Sequence, residues 1–549
     1  MLRDSDSGHV SRIALRDARD DISCMDTAPD RGAQAGDSLM VTQANVCVIG
    51  SGISGLAAAK AFRERGHRVT VLERGPDLGG VWEPSRSYPD VKTQTPKDIY
   101  AFSEWPMPAA YPEWPSGGQV FAYLRAYAER FGLVPLIRYG QSVTRLAKRT
   151  DRGWDVTTTG ADGAASTEPY DFVAICTGQF SHRNKPVHPG AEAFEAAGGQ
   201  ILHSSEHNDA ESVRSKRVVV LGYSKSATDV AVSAVKHGAA GVTLVYLEPT
   251  WKIPYFFGGL INFKRILYCR LAESMFLPFD AGPVRRAVQT LATPLIWANW
   301  RALESLLTAQ FKLRRNGLRP KTRIEDDIHC NLAVETPGFY KLVTEGKITA
   351  IRGTIASYEG SQAVLTGGQR IPADLVVMAT GWRQDVPVLD AADRAKLIDA
   401  DGQYRLYRWV VNPDLPDLGF VGFNSSFATN LSAELGAHWL VRYMDGQLAR
   451  QPTRAQMEAE IARLKAWRQE ERPSAKGYGG LCIAPYHNRH FASLLSDIGV
   501  PTREANPVTA LFAPLRPPVY ADLLARAPAY QASAATRPVL RAVASSRAA

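Results

Sequence analysis

The sequence predicts an α/β fold, because one strand–turn–helix–strand pattern occurs twice along its 549 residues. The apolar runs 44–49 and 216–221 are each typical of a buried parallel strand, and each leads into a tight turn and a helix-forming stretch. A carboxylate, an apolar strand and a Thr-Gly turn also occur twice, at 171–178 and at 374–381. This alternation is typical of parallel sheets with helices on their faces. We therefore predict two Rossmann-like domains.

The first turn has the GxGxxG spacing of a dinucleotide-binding unit. Gly50 permits the tight turn, Gly52 permits close approach of a pyrophosphate, and Gly55 permits close packing of helix on strand. Glu73 follows the second strand, where a carboxylate can accept hydrogen bonds from ribose hydroxyls. A glycine-rich turn without a ligand is the alternative, and the strand, helix and acidic residue together disfavour it. The predicted site comprises Gly50, Ser51, Gly52, Ile53, Ser54, Gly55, Glu73 and Arg74.

The second turn repeats this arrangement in a weaker form. Serine stands at the second glycine position and alanine at the third, and both are small enough for close backbone approach and helix packing. A helix to about His237 and a strand over 241–247 complete the unit. A βαβ unit without a ligand is the alternative. The predicted second site comprises Gly222, Tyr223, Ser224, Lys225, Ser226 and Ala227.

Composition narrows the function classes. Apolar residues make up 45% and charged residues 22%, as in ordinary folded proteins. Six cysteines lie far apart without a CxxC pair, so we predict no disulfide framework, no metal site and a reducing, cytoplasmic setting. The net charge of +9 is spread along the chain without a nucleic-acid motif, so no nucleic-acid partner is predicted. The first 40 residues lack a secretory signal, and Met1, Met25 and Met40 are alternative starts.

Further short motifs connect the chain with a known family. They are a GG segment at 79–82, the stretch 93–97 with 102–108, the segment 379–382 and the segment 431–435. With these motifs the sequence resembles the flavin-containing monooxygenases, which are class B flavoproteins. The stretch 93–108 resembles the family's TNxxK…FSDFPxP segment, and 379–382 is similar to its ATGY. The resemblance implies FAD at the first turn and NADPH at the second, and it adds Gly80, Val81, Trp82, Gln94, Thr95, Thr380 and Gly381 to the cofactor sites.

The repeated Thr-Gly segments also predict a domain organisation. We predict an FAD-binding domain formed by residues 44–178 and 373–524, because the two Thr-Gly segments bracket the second unit. The NADPH-binding domain, 179–372, is then an insertion into it. Residues 1–43 and 525–549 are predicted to be disordered tails.

The implied reaction is a monooxygenation. Reduced nicotinamide passes a hydride to the flavin, dioxygen adds, and the flavin hydroperoxide delivers one oxygen atom to a small organic substrate, at nitrogen or sulfur. Gln94 is the implied catalytic residue, beside the reactive flavin edge. Baeyer–Villiger oxygenation of a carbonyl and a non-oxygenating FAD/NAD(P)H dehydrogenase are the alternatives. The oligomeric state and the substrate are not predicted.

Three positions depart from the family pattern. Gln94 stands where many members carry asparagine. The FxGxxxHxxx(Y/F) signature is partial, with His207 at the aromatic position and without the tryptophan of the Baeyer–Villiger form, and His203 is either a linker histidine bonded to backbone or a participant in cofactor movement. Glu248 stands where arginine often binds the extra phosphate of NADPH. Lys225 and Lys252 could compensate, so the preference for NADPH over NADH stays open.

The stretch 256–316 is a basic, amphipathic insertion. It has nine Lys or Arg against three Asp or Glu. Two apolar groups recur at helical spacing with Pro294 predicted to break the run between them, namely Val284, Val288, Leu291, Leu295 and then Trp300, Leu303, Leu307. No apolar run is long enough for a membrane span. The insertion is therefore predicted either to pack over the active-site cleft or also to rest on a membrane surface.

Overall fold

The computed structural model describes residues 43–328, 332–471, 479–502 and 511–530. Its architecture confirms the predicted α/β class, since two five-stranded sheets organise the chain. The predicted N-terminal tail through Thr42, the alternative start residues, Cys24 and Cys330 lie outside the described residues.

The described strands are short and occur throughout the chain. In chain order they are β1 (Asn45–Ile49), β2 (Arg68–Leu72), β3 (Ile137–Arg138), β4 (Ser142–Lys148), β5 (Trp154–Thr159), β6 (Ala165–Tyr170), β7 (Phe172–Ile175), β8 (His182–Arg183), β9 (Gln200–His203), β10 (Arg217–Leu221), β11 (Gly241–Tyr246), β12 (Lys252–Ile253), β13 (Phe256–Phe257), β14 (Ile261–Asn262), β15 (Ala333–Val334), β16 (Ile348–Arg352), β17 (Ile355–Glu359), β18 (Gln362–Leu365), β19 (Arg370–Pro372), β20 (Leu375–Met378), β21 (Trp382–Arg383) and β22 (Leu418–Phe420).

The described helices cover the sheets and build the C-terminal part. They are α1 (Ile53–Glu64), α2 (Gly117–Arg130), α3 (Ala191–Ala196), α4 (Lys225–Lys236), α5 (Lys264–Leu267), α6 (Arg270–Ser274), α7 (Pro283–Gln310), α8 (Ile324–Asp327), α9 (Phe339–Thr344), α10 (Ala391–Leu397), α11 (Thr429–Met444), α12 (Arg454–Glu471), α13 (His487–Ile498) and α14 (Pro517–Ala525). None of the helices within the described ranges is both long and apolar enough to cross a bilayer.

Each five-stranded sheet is wholly parallel. The first has the order β22-β7-β1-β2-β3, and the second has the order β16-β11-β10-β20-β9. Strands β7 and β20 are buried along their whole length, which suits apolar strands covered on both faces. Helix α1 packs against α11 beside the first sheet, and α4 packs against β10 and β11 of the second.

The two Thr-Gly segments occupy equivalent places in the two sheets. Asp171 Oδ2 accepts a hydrogen bond from Asn45 N at 2.7 Å, and Asp374 Oδ2 accepts one from Arg217 N at 2.8 Å. Each carboxylate thus fixes its own strand beside the strand that leads into the glycine turn of its sheet. The predicted return to the FAD domain at residue 373 is therefore wrong, because β20 pairs with β10 and the chain rejoins the first sheet only at β22.

Two other predictions are corrected. Helix α7 continues through Pro294 as one element of 28 residues. Because Pro294 and Thr290 are both exposed, the carbonyl that loses its intrahelical donor can be hydrated. The C-terminal tail begins later than residue 525, since Arg442 Nη2 donates to Pro528 O at 2.9 Å and the ring of Tyr530 lies 4.2 Å from the Arg65 guanidinium. Residues 531–549 lie outside the described part of the chain.

Candidate functional site

The first glycine turn lies at the carboxyl edge of the first sheet, between β1 and α1. Gly50 has a φ of +99°, and a β-carbon there would lie 3.0 Å from Cys176 O, next to the first Thr-Gly segment. A β-carbon on Gly55 would lie 1.8 Å from Gly50 O. Both positions therefore require glycine, for the turn and for the packing of α1 respectively.

The GG segment lies directly against this turn. Gly79 N donates to Ser51 O at 3.0 Å, and a β-carbon on Gly52 would lie 3.4 Å from Gly80 Cα. Val81 is partly exposed beside it, and Trp82 Nε1 donates to Tyr100 Oη at 3.1 Å. The structure thus brings together two stretches that the sequence analysis assigned to one cofactor site.

The polar groups of the first turn suit a dinucleotide. Gly52 is the N-cap of helix α1 and provides no side-chain cap, and the first turn of the helix has no acidic residue, so its amide groups can bind phosphate. Ile53 and Ser54 are the first, buried residues of this helix. Glu73 is buried, and its Oε2 accepts from Ser51 N and Ser51 Oγ at 2.8 Å each. Within the described part of the chain, its Oε1 accepts only from Gly75 N, at 2.8 Å, and so has a further lone pair for a ribose hydroxyl.

Residues outside the turn support the same fit. Among the described residues, the buried Thr93 Oγ1 and the Asn430 side-chain amide have no hydrogen-bond partner. Asn430 lies in the first turn of α11, which follows β22 at the same edge of the sheet. Buried polar atoms are almost always paired, so these groups favour a polar ligand at this edge. Arg74, by contrast, is exposed and donates to Ser181 O at 3.2 Å.

The second glycine turn repeats the geometry of the first. Gly222 has a φ of +130°, and a β-carbon there would lie 2.4 Å from Ala379 O. Thr380 and Gly381 therefore lie beside the second turn, as Thr177 and Gly178 lie beside the first. Helix α4 also begins without a side-chain cap, at Ser224, whose Oγ lies 3.3 Å from Ser226 Oγ. Tyr223 and Ala227 are buried around it.

Lys225 and Lys252, the two lysines considered as partners of the NADPH phosphate, make other contacts in the structure. Lys225 Nζ is buried in an ion pair with Asp229, and it lies 3.4 Å from Thr336 Oγ1. Lys252 Nζ is fully buried and donates to Tyr223 O at 2.9 Å. Burial, and then the Lys225 cation, lowers the pKa of Lys252 to about 7. Lys252 thus binds the backbone of the turn and Lys225 pairs within α4, so both amines already have partners inside the second domain.

Other cations surround Glu248 instead. Arg352, the last residue of β16, makes an ion pair with Glu248 and donates from Nε to Leu247 O at 3.0 Å. Lys321 Nζ lies 3.9 Å from Glu248 Oε1. All three side chains are at least half exposed at the carboxyl end of β11. Arg352 was not predicted as a site residue, although the carboxyl ends of neighbouring parallel strands always meet at one edge.

The segment with Gln94 and Thr95 lies between the two dinucleotide units. Gln94 is exposed, and its Oε1 accepts from Val334 N at 3.0 Å. Thr95 is buried, and its Oγ1 donates to Phe427 O at 2.8 Å and lies 3.0 Å from Tyr268 Oη. This segment therefore contacts the start of α11, the basic insertion and β15 together.

His203 is held by the backbone of the second Thr-Gly turn. Its Nε2 lies 3.1 Å from Gly381 O and its Nδ1 lies 3.0 Å from Ser205 Oγ. The side chain is fully buried, and burial lowers its pKa. This geometry fits the interpretation of His203 as a linker histidine that bonds to the backbone.

Comparisons with known proteins agree with this geometry. The family described as flavin-binding monooxygenase-like matches residues 43–479. Probable flavin-containing monooxygenase 1 of Arabidopsis thaliana is 27% identical over 517 residues, covering 86% of this chain and 95% of the relative. Flavin-containing monooxygenase 5 of Homo sapiens is 28% identical over 448 residues, covering 77% of each chain. These matches confirm the resemblance predicted from the sequence.

Solved structures share the fold. The oxidized steroid monooxygenase bound to NADP superposes with a TM-score of 0.62 at 20% identity, covering 83% of this chain and 97% of that chain. Cyclohexanone-bound cyclohexanone monooxygenase in its rotated conformation gives a TM-score of 0.63 at 19% identity, covering 83% and 97%.

Proposed function

Because the chain belongs to the flavin-binding monooxygenase-like family, we propose that it uses FAD and NADPH to transfer one oxygen atom from dioxygen to a small organic substrate, at nitrogen or sulfur. The observation that carries this proposal is the pair of glycine turns at the carboxyl edges of two parallel sheets. When bound, reduced flavin supplies the activation of dioxygen. The protein binds both dinucleotides, orients them and excludes water.

The choice of nitrogen or sulfur rests on the partial signature around His207. This side chain is buried at the position of the Baeyer–Villiger tryptophan, and burial lowers its pKa to about 4, so the imidazole is neutral at physiological pH. It lies 3.3 Å from Ser212 Oγ within the second domain. The absence of the Baeyer–Villiger tryptophan argues against carbonyl oxygenation, and the Tyr or Phe of the wider family is absent at this position as well.

One product analysis tests the proposal. The holoenzyme, NADPH and isotopically labelled dioxygen are mixed with an aryl methyl sulfide, a tertiary amine or a cyclic ketone. We expect one labelled oxygen atom in the sulfoxide or the amine oxide. A labelled lactone from the ketone alone would favour carbonyl oxygenation. NADPH oxidation that yields only hydrogen peroxide with all three compounds would indicate a dehydrogenase or oxidase.

Coenzyme preference gives a specific prediction. The cations around Glu248 favour a binding site for the ribose phosphate of NADPH, in which Arg352 exchanges its carboxylate partner for the phosphate. We expect Arg352→Ala to raise the KM for NADPH about tenfold and to leave the KM for NADH nearly unchanged. The expected effect is no larger because solvent screens the charge of a half-exposed arginine. Glu248→Gln should lower the KM for NADPH, because Arg352 is released.

A matched control is Arg370→Ala, which removes an equally exposed arginine paired with Glu359 on the β17–β19 hairpin. It should change neither constant. Equal effects of Arg352→Ala on both coenzymes would show that Arg352 does not bind the phosphate.

We also propose that α7 contacts a membrane surface. Its first four turns expose one aliphatic stripe, with relative exposures of 77% for Val284, 51% for Val288, 82% for Leu291 and 77% for Leu295. No acidic residue occurs between Asp280 and Glu304. An apolar stripe in a region of excess positive charge complements an anionic lipid surface.

Flotation with phosphatidylglycerol–phosphatidylcholine vesicles at low salt tests this contact. We expect the wild-type protein to float and to be released by salt. Leu291→Glu should weaken binding by about tenfold or more, because burying one leucine contributes about 1.5–3 kcal/mol. Val187→Glu is the control, since Val187 is 89% exposed elsewhere on the second domain. Wild-type protein that stays unbound would contradict the contact, and a dimer dissociated by Leu291→Glu would assign the stripe to a second copy.

A further inference from the structure

A short segment of the first domain lies along helix α4 of the second domain. We define residues 85–90 as the strap, which begins three residues after the end of the GG segment. Tyr88 Oη donates to Asp229 Oδ2 at 3.0 Å, and Asn208 Nδ2 of the second domain donates to Ser85 O at 3.0 Å. The strap therefore begins close to the GG segment, which packs on the first cofactor turn, and reaches the helix that starts at the second turn.

Asp90 makes the other contact of the strap with α4. Its carboxylate accepts from Ser233 Oγ at 2.7 Å and from Lys236 Nζ at 2.5 Å, and it lies 2.9 Å from His237 Nε2. Hydrogen bonds from Lys236 and Ser233 outweigh the effect of partial burial and lower the pKa of Asp90 to about 2. Asp90 is thus a carboxylate throughout the physiological pH range.

The residues of α4 that contact the strap share one face of the helix. Asp229, Ser233 and Lys236 are spaced by four and three residues, as expected for neighbours on a helix surface, and His237 is the C-cap residue that follows them. The same helix carries the amide groups of the second turn at its N-terminus. A rotation or slide of α4 relative to the strap would therefore move the coenzyme relative to the first site.

Tyr88 is connected to the second turn through a buried network. Asp229 Oδ1 accepts from Lys225 Nζ and from Thr336 Oγ1, while Oδ2 accepts from Tyr88 Oη. Burial, and then the Asp229 carboxylate, raises the pKa of Tyr88, so its hydroxyl remains a donor at neutral pH. The contact thus joins the strap to the residue that follows Ser224 in the turn.

The backbone of the strap is also constrained. Asp90 has a φ of +59°, in the left-handed region that residues other than glycine adopt infrequently. Such a conformation persists where the surroundings determine it, here through Ser233 and Lys236 of α4 and the C-cap residue His237.

We propose that the strap is a positioning element, with Tyr88 and Asp90 as positioning residues that set the nicotinamide domain over the flavin for hydride transfer. This inference rests on the proposed function for its kinetic consequence only. The polar contacts described above resemble an adjustable interdomain interface. A misplacement of about 1 Å at the reacting atoms can slow a reaction about a hundredfold, so a few such contacts can control the rate.

Anaerobic reduction of the flavin by saturating NADPH is the kinetic test. Tyr88→Phe removes only the hydroxyl, and Asp90→Asn removes the charge while tolerating the left-handed backbone. We expect each variant to reduce its flavin about ten to a hundredfold more slowly, with unchanged flavin content, NADPH Kd and reduction by dithionite. Tyr358→Phe is the control, because the buried Tyr358 hydroxyl has no partner among the described residues. It should match wild type.

Unchanged reduction rates, or losses explained by flavin content alone, would overturn the proposal. A second measurement does not depend on activity. Nitroxides on Asp162→Cys and Ser361→Cys, with Cys24→Ser and Cys330→Ser, report the distance between the domains while the four described cysteines stay buried. We expect a broader distribution of distances between the two nitroxides in both strap variants. An unchanged distribution would overturn the proposed positioning role of the strap. If NADPH does not reduce the wild-type protein, the proposed function is contradicted. The nitroxide distances would still test whether the strap positions the second domain.

Discussion

Gly52→Val is expected to give a folded protein that has lost its flavin. A β-carbon at this position lies at an ordinary contact distance of 3.4 Å from Gly80 Cα, so the protein itself can accommodate it. The branched methyl groups occupy the space in which the backbone meets the pyrophosphate. Overpacking of this kind costs up to about 3 kcal/mol, so flavin affinity should fall by up to about a hundredfold. The ratio of visible flavin absorbance to protein absorbance measures the loss.

Two other glycines frame this experiment. Gly118→Val, in the first turn of α2, meets no atom within 4 Å and should keep its flavin. Gly55→Val should instead prevent folding, because its β-carbon would lie 1.8 Å from Gly50 O. A Gly52→Val protein with full flavin occupancy would show that the first turn does not hold the pyrophosphate.

Local patterns predicted both dinucleotide units well, because their strands, turns and helices are formed by neighbouring residues. The pairing of β20 was not predictable in the same way. The segments 171–178 and 374–381 look alike, and each belongs to its own sheet. Only long-range pairing decides which sheet a strand joins. The second Thr-Gly segment was therefore wrongly predicted to mark the return of the chain to the FAD domain.

The partners of individual side chains were also hard to predict from local sequence patterns. Lys225 was read as a phosphate ligand, but helical geometry places it one turn before Asp229 and the two pair. The partner of Glu248 was missed because Arg352 is separated from it by 104 residues. Pro294 was read as a helix end, although an exposed helix can hydrate the carbonyl that proline leaves free.

Gln94→Ala is expected to uncouple NADPH consumption from oxygenation. The family resemblance places this amide beside the reactive flavin edge, and the structure leaves its Nε2 without a hydrogen-bond partner among the described residues, while Oε1 is fixed by Val334 N. A donor held in this way can stabilise the charge that develops on the reacting oxygen. Its loss should lower the product formed per NADPH about a hundredfold, and hydrogen peroxide should appear instead.

Flavin reduction separates this role from a general defect. Hydride transfer depends on how the nicotinamide is seated, so Gln94→Ala should reduce its flavin within about twofold of the wild-type rate. Gln94→Asn keeps the amide on a shorter side chain and should recover part of the coupling. If Gln94→Ala couples as well as wild type, the side chain points away from the flavin, and the resemblance of residues 93–97 does not extend to their role. Better coupling in Gln94→Asn than in Gln94→Ala would support a donor at the reacting oxygen, because only the asparagine variant keeps an amide at that position.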